Sequence, residues 1–196
     1  MSLVELLVAM MILGIVAVVF GTTLASVQRA VSETDSRTQN NTQARLAIEE
    51  LDRETRSGNI LYNPSASTDP YFRFKIYTQS NANTRTPSPG YVCRLWRITS
   101  DDELQTRLWP PNQPEDASEW HTVATGVVNK VLPTPVHAFE IDPDPNKGGR
   151  TVNVTFMING AYYTRPNETV RIQAALTGRN TSYGFPQTVC TTEPTD

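Results

Sequence analysis

The sequence is short of the residues that build metal centres and nucleic-acid interfaces. It holds 2 Cys and 2 His in 196 residues, too few for a four-ligand Cys/His zinc site of the usual spacing. Charged residues make up 19% of the chain and the formal net charge is −3. There is no excess of Lys and Arg to neutralise phosphates, so no specific nucleic-acid binding is expected. No GxSxG, P-loop or GxGxxG motif occurs. His121 and His137 have no Ser or Cys nucleophile that spacing alone supports. The expectation is a protein that is not an enzyme and carries no cofactor. Proline is absent from the first part of the chain, since all 14 lie at or after Pro64, and nothing there forbids a long helix on that ground. Aromatics are missing too: Phe20 alone precedes Tyr62, which gives no support to an aromatic stack along that helix.

What is present is a strong contrast between two parts, hidden in a mean hydropathy of −0.38. Residues 1–28 carry one charge, Glu5, and from Leu3 to Phe20 every other residue is apolar or Gly. As a helix that run spans roughly 27 Å, close to the hydrocarbon core of a bilayer. A secretory signal peptide fits poorly, because no basic segment precedes the run and no small-x-small cleavage site follows it. A membrane anchor fits its length but leaves Glu5 unexplained. A carboxylate within an apolar span costs about 2.5–3.5 kcal/mol on insertion scales, so it calls for a partner. The positive group closest in sequence is the α-amine of Met1, within the chain or on a neighbour packed in parallel.

The segment SLVELLVAMMILGIVAVVF resembles the mature N-terminus of type IV pilins and type II secretion pseudopilins. The shared pattern is a processed first residue, Glu at position 5 and an apolar helix beginning LLVAM. The resemblance implies that a prepilin peptidase cleaves a leader and N-methylates residue 1, here Met1 where the family more usually has Phe. It also implies that Glu5 pairs with the N-terminal amine of an adjacent subunit. Many members carry a Pro near position 22, where this chain has Thr22; Gly14 and Gly21 are then the places where the helix can flex, or where helices approach closely.

The helix is expected to continue past the apolar run. Residues 22–57 contain no Pro and no Gly, and Ala44, Ala47, Ile48 and Leu51 recur on one stripe. The opposite face carries Arg45, Glu49, Asp52, Arg53 and Arg56, with Glu49–Arg53 and Asp52–Arg56 spaced as i,i+4 pairs. Gly58 reads as the stop. The stretch LAIEELDRETRSG, with Leu51, Arg53, Glu54 and Arg56, is similar to the end of this helix in J-type minor pseudopilins. HTVATGVVN and TVRIQAAL resemble the J-type head.

After Pro64 the pattern changes to a period of two. Tyr71–Tyr77 alternates, with Phe72, Phe74 and Ile76 on one face. Tyr91–Thr99 and Glu103–Trp109 read as a hairpin about Ser100-Asp101-Asp102. Short strands are expected within residues 119–132, a second hairpin from Val136–Ile141 and Thr151–Ile158, and a last strand at Thr169–Leu176. Pro-rich stretches between them read as loops. The expected class is α+β, type IV pilin-like: a long N-terminal helix packed against an antiparallel β-sheet head. The divisions are residues 1–28 (membrane or filament core), 29–58 (amphipathic continuation) and 59–196 (β head).

The resemblance implies export, and an oxidising compartment favours a Cys93–Cys190 disulfide. Asp142, Asp144 and Asn146 alternate before Gly148. That is a partial calcium-loop pattern; it lacks the bidentate Glu and reads better as a turn. The function implied is a structural subunit of a type IV pilus-like filament, in the cytoplasmic membrane before assembly and at the cell surface after it. Its partners would be identical or related pilin subunits, a prepilin peptidase and a membrane assembly platform. The alternatives are a minor tip pseudopilin of a type II secretion system and, in a different class, a single-pass membrane-anchored extracellular binding protein.

Overall fold

The computed structural model describes residues 3–79, 90–144, 149–178 and 188–195. Helix α1 runs from Leu3 to Ser57, unbroken because no Pro falls within it. The chain divides into two compact units, Met1–Gln39 and Asn40–Asp196. In the first, α1 is the whole described structure. The second contains the rest of α1 and two antiparallel sheets, so the α+β class holds. The expected single sheet is corrected to two.

The larger sheet has the order β1 (Ile60–Leu61), β2 (Arg73–Gln79), β3 (Tyr91–Ile98), β4 (Glu103–Trp109), β5 (His121–Thr125). The smaller is β6 (Phe139–Ile141), β7 (Thr151–Ile158), β8 (Val170–Thr177). The β3–β4 hairpin forms where the alternation places it, pairing Ile98 with Leu104 and Cys93 with Trp109. Thr99 Oγ1 closes its turn by accepting the N–H groups of Asp101 and Glu103 at 3.2 Å each. Strand β2 starts two residues later than the alternation suggests. Tyr71 sits in a left-handed turn, φ 66°, and its carbonyl accepts the N–H groups of Ala138 and Phe139 at 3.1 and 3.0 Å. The Val136 N–H goes to the Asn129 carbonyl (3.0 Å) and the Ala138 N–H to Tyr71 instead of β7, and β6 begins only at Phe139.

One core joins helix and sheets in the second unit. Ala44, Ala47 and Leu51 on α1 are fully buried against Phe74 and Ile76 of β2, Trp96 and Ile98 of β3, and Phe139, Val154 and Phe156 of the smaller sheet. This is the expected stripe, with Ile48 partly buried at its edge. On the far face, Asp52 and Arg56 pair at 2.7 Å. The sheets meet through Val127, bridged to Ile158, and through buried Asn129. Its Nδ2 donates to the carbonyls of Val136 (3.0 Å) and Thr155 (2.8 Å), and its Oδ1 accepts from Met157 N–H (2.9 Å).

Gly58 follows the last helical residue, and the reason for glycine there is steric. A Cβ there would lie 2.9 Å from Ile76 Cγ2 and 3.1 Å from the Thr55 carbonyl, so the turn into β1 lies flush on β2. Leu51 is the largest apolar side chain of the helix stripe with no exposed surface. Leu51→Ala is expected to destabilise the second unit by about 2–5 kcal/mol, read as a lowered denaturation midpoint of the full-length protein in detergent, followed by tryptophan fluorescence.

Candidate functional site

The first unit presents a surface that water does not favour. Its apolar side chains are exposed all round: Leu3 78%, Met10 68%, Leu13 69%, Phe20 71%. A helix apolar on every face requires an apolar surrounding, lipid or other helices. α1 is long and apolar enough to cross a membrane. The first polar residues after the run satisfy themselves inside the helix. Thr22 and Thr23 hydroxyls donate to the Val19 carbonyl at 2.9 and 2.8 Å, and Ser26 to the Thr23 carbonyl at 2.8 Å. This back-bonding spares the hydroxyls a desolvation cost in a dry medium.

Glu5 falls in the first turn of α1, on the exposed surface of this apolar stretch. A carboxylate there complements the partial positive charge of the helix N-terminus. Met1, the residue expected to supply its counter-charge, lies outside the described residues. Gly14 and Gly21 are helical, and a Cβ at either would meet nothing within 4 Å. Each leaves a shallow place on the helix surface.

A second cluster joins the helix to β3 through a contact that sequence pattern does not show. Glu54, on the last turns of α1, is 1% exposed. Its Oε2 accepts from Trp96 Nε1–H at 2.8 Å, and Arg94 Nη1 lies 2.8 Å from Oε1. The Arg94 contact is a close charge pair without hydrogen-bond alignment. Glu50 also approaches Arg94, at 3.5 Å. Burial pushes the Glu54 carboxyl up from 4.5 to about 7, outweighing the opposing pull of Arg94 and of the Trp96 hydrogen bond, with Glu50 adding repulsion. The signal was partly visible: Glu54 follows Leu51 by three positions, so it shares the buried stripe. An acid in such a stripe reads as exposed until its partners on β3 are known.

Cys93 and Cys190 form a disulfide, with Cα atoms 5.7 Å apart. It holds the C-terminal segment Thr188–Thr195 on the face of the larger sheet that α1 does not cover. Asp142 and Asp144 form a turn in which Asp142 Oδ1 accepts the Asp144 N–H at 3.0 Å; Asn146 lies outside the described residues. Among those residues no group of three or more His, Cys, Asp or Glu side chains could hold a metal ion. His121 starts the edge strand β5. His137 stacks on Tyr71, ring centroids 3.8 Å apart, and pairs with Glu140. Compared with known proteins, the sequence matches no protein-family model and no curated protein.

The raised Glu54 value carries a pH dependence with a definite sign. Below about pH 4.5 the carboxyl is protonated in both folded and unfolded chains. Between 4.5 and 7 the unfolded chain releases the proton while the folded chain keeps it, so rising pH favours unfolding. Denaturant titrations at pH 4.5, 5.5, 6.5 and 7.5 are expected to show stability falling across that window, then levelling. In Glu54→Gln this fall should be much reduced.

Proposed function

We propose that the chain is a structural subunit of a type IV pilus-like extracellular filament. The observation that carries the reading is the stretch Leu3–Phe20, apolar on every face and interrupted only by Glu5 near its start. Before assembly the helix sits in the cytoplasmic membrane as a single span. During assembly the apolar helices of neighbouring subunits pack together and replace lipid with one another. Glu5 is then neutralised by the N-terminal amine of residue 1 on an adjacent subunit. In dry surroundings that attraction is strong, and desolvation takes back part of it. A prepilin peptidase and an assembly platform are the partners this route requires, and N-methylation of Met1 belongs to it. The head fold then reads as a pilin-like head, exposed at the filament surface. Gly14 and Gly21 are where neighbouring helices approach closely or where the helix adapts.

A second reading, the minor tip pseudopilin of a type II secretion system, is favoured by Leu51, Arg53, Glu54 and Arg56, which match the J-type pattern. Subunit counts in sheared filaments separate it from the first: a tip subunit is scarce, a main subunit repeats along the length. A single-pass anchored binding protein would instead give monomers or small oligomers after detergent extraction and would not depend on a prepilin peptidase.

The test is Glu5→Leu in cells, with electron microscopy of sheared surface material and mass spectrometry of the N-terminal peptide. The variant is expected to insert normally and to lower the assembled fraction about ten-fold or more, the equivalent of ~1.4 kcal/mol. Normal filaments from Glu5→Leu would defeat the pairing.

A further inference from the structure

On the face that α1 does not cover, the larger sheet carries a cleft of about 240 Å³. Three pieces of chain distant in sequence bound it: the turn at residues 62–67, the strands β2 and β3, and the C-terminal segment through Thr191 and Glu193. The Cys93–Cys190 disulfide ties down the third piece one residue before Thr191. Tyr62 Oη accepts the Cys190 N–H at 3.2 Å, which joins turn and tail at the edge of the cleft. Such a hollow, part apolar and with a few converging polar groups, has the make-up of a small-molecule site.

Its polar groups are held in place. Glu193 reaches Lys75 Nζ at 3.1 Å and Arg73 Nη1 at 3.3 Å, and the three side chains are only 12–14% exposed. Lys75 Nζ also lies 5.0 Å from the centre of the Tyr62 ring. The Ser67 hydroxyl donates to the carbonyls of Pro64 (2.9 Å) and Asp69 (2.8 Å), so it offers a ligand only its lone pairs. Buried Pro64 and Leu95 supply the apolar part of the lining.

This lining selects by charge and by size. An anion in the cleft would meet the Glu193 carboxylate, and a cation would meet Lys75 and Arg73, so the lining counts against both. A neutral ligand rich in hydroxyls can donate to Glu193 and accept from the two cations, and hydrogen bonds to ionised groups are the strong ones. The volume equals about eight waters at ~30 Å³ each, room for one ring and too little for a folded peptide. We propose that the cleft is a binding site for one neutral hexopyranose ring, its hydroxyls on Glu193, Lys75 and Arg73 and its C–H face on the apolar lining. The site lies wholly in the second unit and applies equally to a filament subunit and to an anchored binding protein.

The test is saturation-transfer difference NMR on the full-length protein, in a detergent without a sugar headgroup. The probes are the methyl glycosides of glucose, galactose and mannose, with glucuronate and glycine betaine as the charged and zwitterionic comparisons. Transfer to the ring C–H protons of at least one glycoside is expected, with a Kd on the order of 1 mM. Glu193→Gln keeps the side chain's size and removes its charge, and should weaken binding about ten-fold. Ala66 lines the cleft and is exposed, so Ala66→Trp puts bulk into the opening and not into the core; it should abolish the transfer. No transfer from the wild type to any of the three glycosides at about ten times that concentration would overturn the proposal. So would undiminished transfer from Ala66→Trp, or a preference for glucuronate or glycine betaine over all three glycosides. The wild-type panel decides without any variant, and filament assembly does not enter the readout.

Discussion

One hydrogen-bonded backbone has to serve two environments. In its first unit α1 is apolar on every face, with Thr22, Thr23 and Ser26 turned back onto the helix carbonyls. In its second unit the same helix is apolar on one stripe only, where Ala44, Ala47 and Leu51 meet the sheets. The first arrangement suits a medium without water and the second suits a globular core. Everything else in the chain follows from the second: two sheets too small to bury their own inner faces close around a helix that supplies the missing layer.

Glu54 shows the cost of that closure. An acidic side chain inside the core is met from the sheet side by Trp96 and Arg94 on one strand, which offset part of its burial cost. Such an arrangement contributes little net stability compared with a well-packed apolar side chain, but losing one partner is expensive. It favours one rotation of the helix against β3, since Ala44, Ala47 and Leu51 of the stripe carry neither an acceptor for Trp96 nor a charge for Arg94. The flush contact at Gly58 fixes the same relation a turn later, from steric grounds alone.

Much of this was legible in the sequence. The period change at Pro64, the buried stripe at Ala44–Leu51, the β3–β4 hairpin and the last strand all came from local pattern, and the structure places them within a few residues. The resemblance carried by SLVELLVAMMILGIVAVVF supplied the expected bond between Cys93 and Cys190, which composition alone left open. What was not legible depends on contacts distant in sequence. The split into two sheets depends on Val127 reaching Ile158 and on Asn129 tying Val136 to Thr155. The late start of β2 comes from the Tyr71 carbonyl being taken by Ala138 and Phe139. Burial of Glu54 depends on side chains forty residues away, and acids at such positions are ordinarily solvated.

Strand β3 lies at the centre of the larger sheet, hydrogen-bonded on both sides. Adjacent residues on it point opposite ways: Cys93 carries the covalent link to the tail, while Arg94 holds the Glu54 carboxylate of the helix. One strand thus takes part in both attachments, although the helix is also held by its apolar stripe against β2 and the smaller sheet. Pulled along its length, β3 would have to shear its ladders with β2 and β4 together, instead of peeling them one bond at a time.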